Sequence, residues 1–182
     1  GYTWLPTNRE AYAPCCCRIV QEKRLKAQWM DRLCEGARIP AIFRHATLEE
    51  MVLSHPDTAR MVEAAREYMA NDVIPFLCLF GILGYEKDGS LKDQGVGAGK
   101  THIASVIARK WLQKAVEDEA NPVYFADVPT LMAELQAGQF TEGRYFELLQ
   151  KVMTAPYLVL DDLGAHNMTD WAGVQLDMIV NH

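Results

Sequence analysis

At 182 residues the chain is long enough for one domain with a real hydrophobic core plus an appendage. A net charge of −6 excludes a molecule-wide attraction for nucleic acid, although a local basic patch stays compatible with it. No apolar run approaches the roughly 18 residues of a membrane span, no signal-peptide pattern opens the chain, and five cysteines, three of them consecutive, do not read as a secreted disulfide framework. A cytoplasmic protein with no membrane partner is expected.

Residues 1–14 lack periodicity and read as an irregular lead-in to Cys15-Cys16-Cys17. From Arg18 to about Gly36 the spacing of Leu25, Trp29 and Leu33 predicts a helix stopped at Gly36. Between Arg18 and Arg44 seven Lys/Arg face three Asp/Glu, a basic island in an acidic chain; it fits a solvated face or a partner or nucleic-acid surface. Ile39-Pro40 breaks the helix, and Thr47 with Glu50 predicts a capped turn. A second helix is expected from Pro56 to Ala70, with Met61, Ala64, Ala65 and Met69 as its apolar stripe.

Phe76–Gly81 is a continuous apolar run and predicts a strand buried on both faces. A helix from about Lys100 to Val116 follows, then a strand at Pro122–Ala126. Asp127 is placed to cap a helix carrying Leu131, Met132 and Leu135. Thr141–Met153 predicts another helix, with Phe146, Leu149 and Val152 inward. Tyr157–Leu160 predicts a third buried strand. Thr169 caps a last helix with Trp171, Val174 and 178–180 inward. Strands alternating with helices predict an α/β fold with a parallel sheet.

Two stretches carry the chemistry. Gly95-Val96-Gly97-Ala98-Gly99-Lys100-Thr101-His102 reads as a phosphate-binding P-loop. Its glycines let the backbone turn tightly and aim N–H groups at an anion. Lys100 brings a charge for the β- and γ-phosphates, and Thr101 a hydroxyl for Mg²⁺. The helix that follows turns its positive end toward the same phosphates. Asp161-Asp162 ends an apolar strand, where an open α/β sheet binds ligands. Asp161 suits Mg²⁺, and Asp162 the orientation of an attacking water. The full pattern needs a glycine at position 94, where Gln94 stands; excising 82–94 joins Gly81 to Gly95 and restores the pattern with Gly81 as first glycine. Residues 82–94 therefore read as an insertion, with Asp88-Gly89 as a hairpin turn.

The runs GVGAGKTHIA, VYFADVPTLMAEL and APYLVLDDLGAHNMTDW, followed by a helix ending in IVNH, resemble the DnaC/IstB-like branch of the AAA+ ATPases. The stretch from CRIVQEKRL to ARIPAIFRHATLEE resembles the N-terminal segment of that branch. The resemblance implies a P-loop NTPase (AAA+) three-layer core with a parallel sheet, preceded by a helical N-terminal segment. Residues 1–55 would be that partner-binding segment and 56–182 a partial ATP-binding domain, truncated after the Asp-Asp strand and the next helix. It implies ATP and Mg²⁺ as cofactors, with nucleotide at Gly81, Gly95, Val96, Gly97, Ala98, Gly99, Lys100, Thr101 and His102, and metal at Thr101 and Asp161. Lys100 and Asp162 would be catalytic. Asp162 stands where most AAA+ proteins have Glu, which favours a switch over a motor. The resemblance also implies a replicative helicase or transposase and single-stranded DNA as partners, with self-association through the AAA+ domain. Arg144, Tyr145 and Phe146 are candidates at the DNA. Relatives that carry a C-x-x-C upstream make Cys15 and Cys17 a zinc half-site, so no zinc is expected in this chain by itself. Low stability and little ATP turnover are expected of residues 1–182 alone. A non-hydrolysing nucleotide-dependent adaptor is the alternative function; a small-molecule kinase fits less well, because no Arg-rich lid is present.

Overall fold

The computed structural model describes residues 16–51, 56–71, 76–79, 83–85, 91–93, 99–114, 121–164 and 169–182. In chain order they form α1 (Cys16–Gly36), a 3₁₀ turn (Ala41–Phe43), α2 (Pro56–Ala70), the short strands β1 (Leu83–Tyr85) and β2 (Leu91–Asp93), α3 (Lys100–Lys114), β3 (Val123–Asp127), α4 (Val128–Gly138), α5 (Arg144–Met153), β4 (Tyr157–Asp161) and α6 (Asp170–Val180). Among the described residues no helix is long and apolar enough to cross a membrane.

β3 and β4 pair in parallel, Val123 opposite Tyr157 and Asp127 opposite Asp161. Side chains alternate across a strand, and the packing follows that alternation. Val123, Phe125, Tyr157 and Val159 pack with Ala108 and Leu112 of α3, with Cys34 of α1 and with Ala37 and Ile39 just after it. Tyr124, Ala126, Leu158 and Leu160 pack with Leu131 and Leu135 of α4, Val152 of α5 and Leu176 of α6. The sheet thus lies between two helical layers. Full burial of a side chain such as Leu135 stabilises this core by about 1.5–3 kcal/mol. A third cluster joins Ile103 and Ile107 of α3 to Val62 and Ala65 of α2 and to Leu48. The N-terminal segment from Met30 onward is packed into this core, and Phe125 N–H donates to Ala37 O at 2.8 Å on the β3 edge away from β4.

Local signals set the element ends. Asp127 caps α4 by accepting from Thr130 N–H at 3.0 Å, and Thr169 caps α6 by accepting from Ala172 N–H at 3.2 Å. Thr47 N–H donates to Glu50 at 3.1 Å, one half of the expected capping box, in a turn that does not continue into helix. α1 ends on a Schellman motif: Ile39 N–H donates to Cys34 O and Arg38 N–H to Glu35 O, both at 2.9 Å. The left-handed residue of that motif is Arg38, at φ +66°, and not the expected Gly36. Arg38 is held there by its side chain. Its guanidinium grips both carboxylate oxygens of Glu134, at 2.8 and 2.5 Å, and donates to the Tyr124 hydroxyl at 2.5 Å. The hydrogen bond from Arg38 holds the Glu134 carboxyl below its ordinary pKa, while burial pushes the Tyr124 hydroxyl up.

Several expectations of burial need correction. Residues 76–79 form no strand; Phe76 is 76% exposed and Cys78 is exposed, while Leu77 and Leu79 rest on the α2–α3 cluster. No described strand lies beside them to supply a ladder. β4 is half-buried throughout, because among the described residues only β3 borders it. Phe146 is 72% and Val174 57% exposed, and Met178 and Val180 also face outward. The inward stripes run instead through Leu149 and Val152 on α5 and through Ala172, Leu176 and Ile179 on α6. Leu25 is exposed, and Val62 completes the α2 stripe. β1 and β2 pair antiparallel, Leu83 opposite Asp93 and Tyr85 opposite Leu91; the turn expected at Asp88-Gly89 lies outside the described residues.

Candidate functional site

Gly99 shapes the start of α3. It adopts φ +85°, and its carbonyl accepts from Ile103 N–H at 2.9 Å, the first hydrogen bond of the helix. A Cβ at this position would lie 2.5 Å from Met51 Cε. Glycine is therefore favoured by the left-handed backbone, whereas the flexible end of Met51 can move aside for a Cβ. Lys100 and Thr101 follow directly and are half-buried. One turn on, buried Ser105 donates its hydroxyl to Thr101 O at 2.7 Å.

The direction of α3 follows from its contacts. Trp111, near its C-terminal end, stacks on Tyr157, the first residue of β4, with ring centroids 4.3 Å apart. Ala104 and Ala108, earlier in the helix, pack in the cluster that contains Phe125 and Val159. The stack sets the C-terminal end of α3 at the start of β4, so that α3 runs antiparallel to the strands and its N-terminal end lies toward the side where they terminate in Asp127 and Asp161. The alternation that turns Tyr157 and Val159 to the α3 layer carries Asp161 to the same side.

The three carboxylates at this edge are in different situations. Asp127 is committed to the α4 cap. Asp161 is half-buried at the end of β4. Asp162 is exposed, has φ +59°, and borders a cavity of about 240 Å³ between α4 and α6, with Met132, Gln136, Thr169 and Trp171 among its walls. That cavity is on the face opposite α3. Left-handed backbone at a non-glycine residue costs about 1–2 kcal/mol, and such residues gather at functional sites.

Residues 41–51 close over the first turns of α3, an arrangement the sequence did not signal. His102 Nε2 lies 2.7 Å from Thr47 O, and the His102 ring meets Phe43 with centroids 5.5 Å apart. Arg109 donates to Ala46 O at 3.0 Å, and Lys110 to Met69 O at 2.8 Å. His102 thereby ties the P-loop helix to the N-terminal segment. Of the other candidate residues, Gly81, Gly95, Val96, Gly97, Ala98, Cys15 and the Cys17 side chain lie outside the described residues. Among the described residues no three His, Cys, Asp or Glu cluster as a metal cage. A P-loop Mg²⁺ does not need such a cage, since the nucleotide and water supply most of its ligands.

Residues 93–181 match the family model of the IstB-like ATP-binding proteins. The chain is also similar to the replicative helicase loader DnaI of Bacillus subtilis (strain 168), 32% identical over 126 residues, which is 69% of this chain and 36% of that relative. The chain thus spans about a third of the length of the curated relative it matches. The helix that begins at Lys100-Thr101, the parallel strand that ends at Asp161 and these two matches agree: residues 93–181 resemble the IstB-like ATP-binding proteins.

Proposed function

We propose that the chain binds ATP·Mg²⁺ and uses the bound state as a switch, in a protein that loads a replicative helicase onto DNA or assists a transposase. The observation that carries this reading is the antiparallel run of α3, which directs Lys100 and Thr101 toward the strand edge that bears Asp161. In this reading Gly95–Gly99 cradle the phosphates, Gly81 closes the turn across the 82–94 insertion, and Lys100 neutralises charge at the β- and γ-phosphates. Thr101 hydroxyl and Asp161 carboxylate offer hard oxygen donors, which suit Mg²⁺ and do not suit a thiophilic metal. When bound, the ion neutralises phosphate charge. The likeness to a replicative helicase loader supports a helicase as partner, and the exposure of Phe140 and Phe146 beside Arg144 supports a contact with single-stranded DNA by stacking. Self-association through the AAA+ domain and a cytoplasmic location belong to the same reading.

Asp162 favours a second reading, a non-hydrolysing nucleotide-dependent adaptor. Asp162 borders the α4–α6 cavity, on the face away from the layer that holds Lys100. Single-turnover hydrolysis of ATP, with and without single-stranded DNA, separates the two. A switch ATPase gives slow turnover that D162N abolishes with ATP affinity retained. An adaptor gives nucleotide-dependent capture of a replicative helicase and no turnover in either protein. Absence of ATP binding contradicts both. Removal of 82–94 tests the insertion: ATP affinity that holds or improves supports it, and collapse refutes it.

A further inference from the structure

α1 is 21 residues long, about 31 Å at 1.5 Å per residue. Its C-terminal third is anchored by Met30, Leu33 and Cys34 in the cluster under α3. Leu25, Trp29 and Leu33 recur once per turn and form one apolar line. Leu33 is packed, whereas Leu25 is 58% exposed, and every residue from Ile19 to Gln28 is exposed. The apolar line therefore outruns the core it packs on. Arg24 and Lys26 flank Leu25, about 100° round the helix on either side. Among the described residues neither cation has a hydrogen-bond or ion-pair partner.

The cavity between α4 and α6 has the complementary character. Val128, Met132, Leu163 and Trp171 give it an apolar lining, and Asp162 and Gln136 bring polar groups to it. Among the described residues these two polar side chains also lack hydrogen-bond and ion-pair partners. Exposed Asp170 adjoins Thr169 and Trp171 of the wall. Neither helix offsets the acids, since residues 115–143 and 152–182, which include α4 and α6, contain no Lys or Arg. Asp162 is held at the rim by left-handed backbone, a conformation that gathers at binding sites. An apolar hollow rimmed by unpaired carboxylates suits an apolar side chain flanked by cations, and it repels a polyanion.

We propose that this cavity receives the α1 arm of a second copy of the chain, with Leu25 entering the hollow and Arg24 and Lys26 meeting Asp162 and Asp170 at the rim. The mode is an amphipathic helix seated in an apolar groove. α1 is anchored in the α3 layer, whereas Val128, Met132 and Trp171 belong to the layer across the sheet, so the sheet separates an arm from the cavity of its own chain. The contact is therefore heterologous: the arm of one copy enters the cavity of the next, and the assembly closes into a ring or propagates. The arm and the cavity are then the two surfaces of the self-association proposed above, on which this inference rests.

The test uses charge changes at exposed positions, R24E/K26E in the arm and A133K/Q136K at the cavity. Glu and Lys are good helix formers, so both variants keep the fold; unchanged thermal melts verify that. Sedimentation of the whole chain, without nucleotide and at low salt, measures association over a concentration series. The expected result is association of the parent, weakened at least tenfold in each variant alone by like-charge contact, and restored when the two variants are mixed, because each arm then meets a cavity of opposite charge. A labelled peptide of residues 18–28 gives a readout that needs no arm variant: it binds the parent, and A133K/Q136K at least tenfold more weakly. A parent that associates while both variants associate equally well leaves self-association standing and overturns this assignment of its surfaces. Peptide that binds A133K/Q136K as tightly as the parent overturns it as well. A parent chain that stays monomeric throughout overturns both the assignment and the self-association beneath it.

Discussion

Arg38 closes α1 in a conformation that usually belongs to glycine, and the two components of that choice are separable by mutation. The backbone at φ +66° costs about 1–2 kcal/mol for a residue with a Cβ. The side chain offsets the cost through the two-pronged grip on Glu134, the bond to the Tyr124 hydroxyl and the approach of the guanidinium to 5.5 Å from the Tyr124 ring centroid. Arg38 and Glu134 side chains are 36% and 39% exposed, so solvent screens the pair and it contributes about 0.5–1 kcal/mol; the hydrogen bond to Tyr124 adds about 1 kcal/mol. R38A keeps the strain and loses the contacts, and is expected to cost about 1.5–2 kcal/mol. R38G loses the same contacts but relieves the strain, and is expected to be about 1 kcal/mol more stable than R38A. Urea unfolding of the three proteins at a common slope measures both differences. R38A within 0.3 kcal/mol of the parent, or R38G no more stable than R38A, refutes this account of the helix end.

Other consequences are independent of it. Glu134 is held below its ordinary pKa by Arg38, so its contribution to stability is complete above the ordinary carboxylate value of about 4.3 and is lost as pH falls through the lower folded value; urea midpoints between pH 3 and 7 will show that acid loss, reduced in R38A. L135A empties a fully buried site between α4 and the sheet and is expected to cost about 2–5 kcal/mol, against less than about 0.5 for F146A at an exposed one, in the same urea assay. D127A removes the α4 cap and is expected to cost about 1 kcal/mol. G99A strains the start of α3 by about 1–2 kcal/mol and displaces Met51, so it is expected to lower both stability and ATP affinity, measured by melts with and without nucleotide.

How much of this was legible in the sequence depended on the range of the force involved. Asp127 and Thr169 announced their caps because a cap is made within three residues. The bounds of α2 were legible for the same reason, and the strands β3 and β4 through their β-branched and aromatic runs. Burial was read less well. Phe76, Phe146 and Val174 are as apolar as their buried neighbours, but whether an apolar side chain is covered depends on what stands opposite, and that is set by the tertiary packing. The bond between His102 and Thr47 spans 55 positions and the approach of Met51 to Gly99 spans 48; neither leaves a periodic trace. Arg38 escaped notice because Gly36 supplied the expected signal two residues earlier. At the candidate site, the sequence offered both halves of the motif, while their common edge emerged only from the stacking of Trp111 on Tyr157.

Calorimetric titration of the chain with ATP·Mg²⁺, beside K100A, tests the central reading most directly. The account predicts saturable binding to the parent chain, a rise in stability of about 2.7 kcal/mol when free ATP is a hundred times the dissociation constant, and at least a tenfold loss of affinity in K100A, with the unliganded melt of that variant little changed. Equal ATP affinity in the two proteins, or no binding to a parent chain that melts cooperatively, contradicts it.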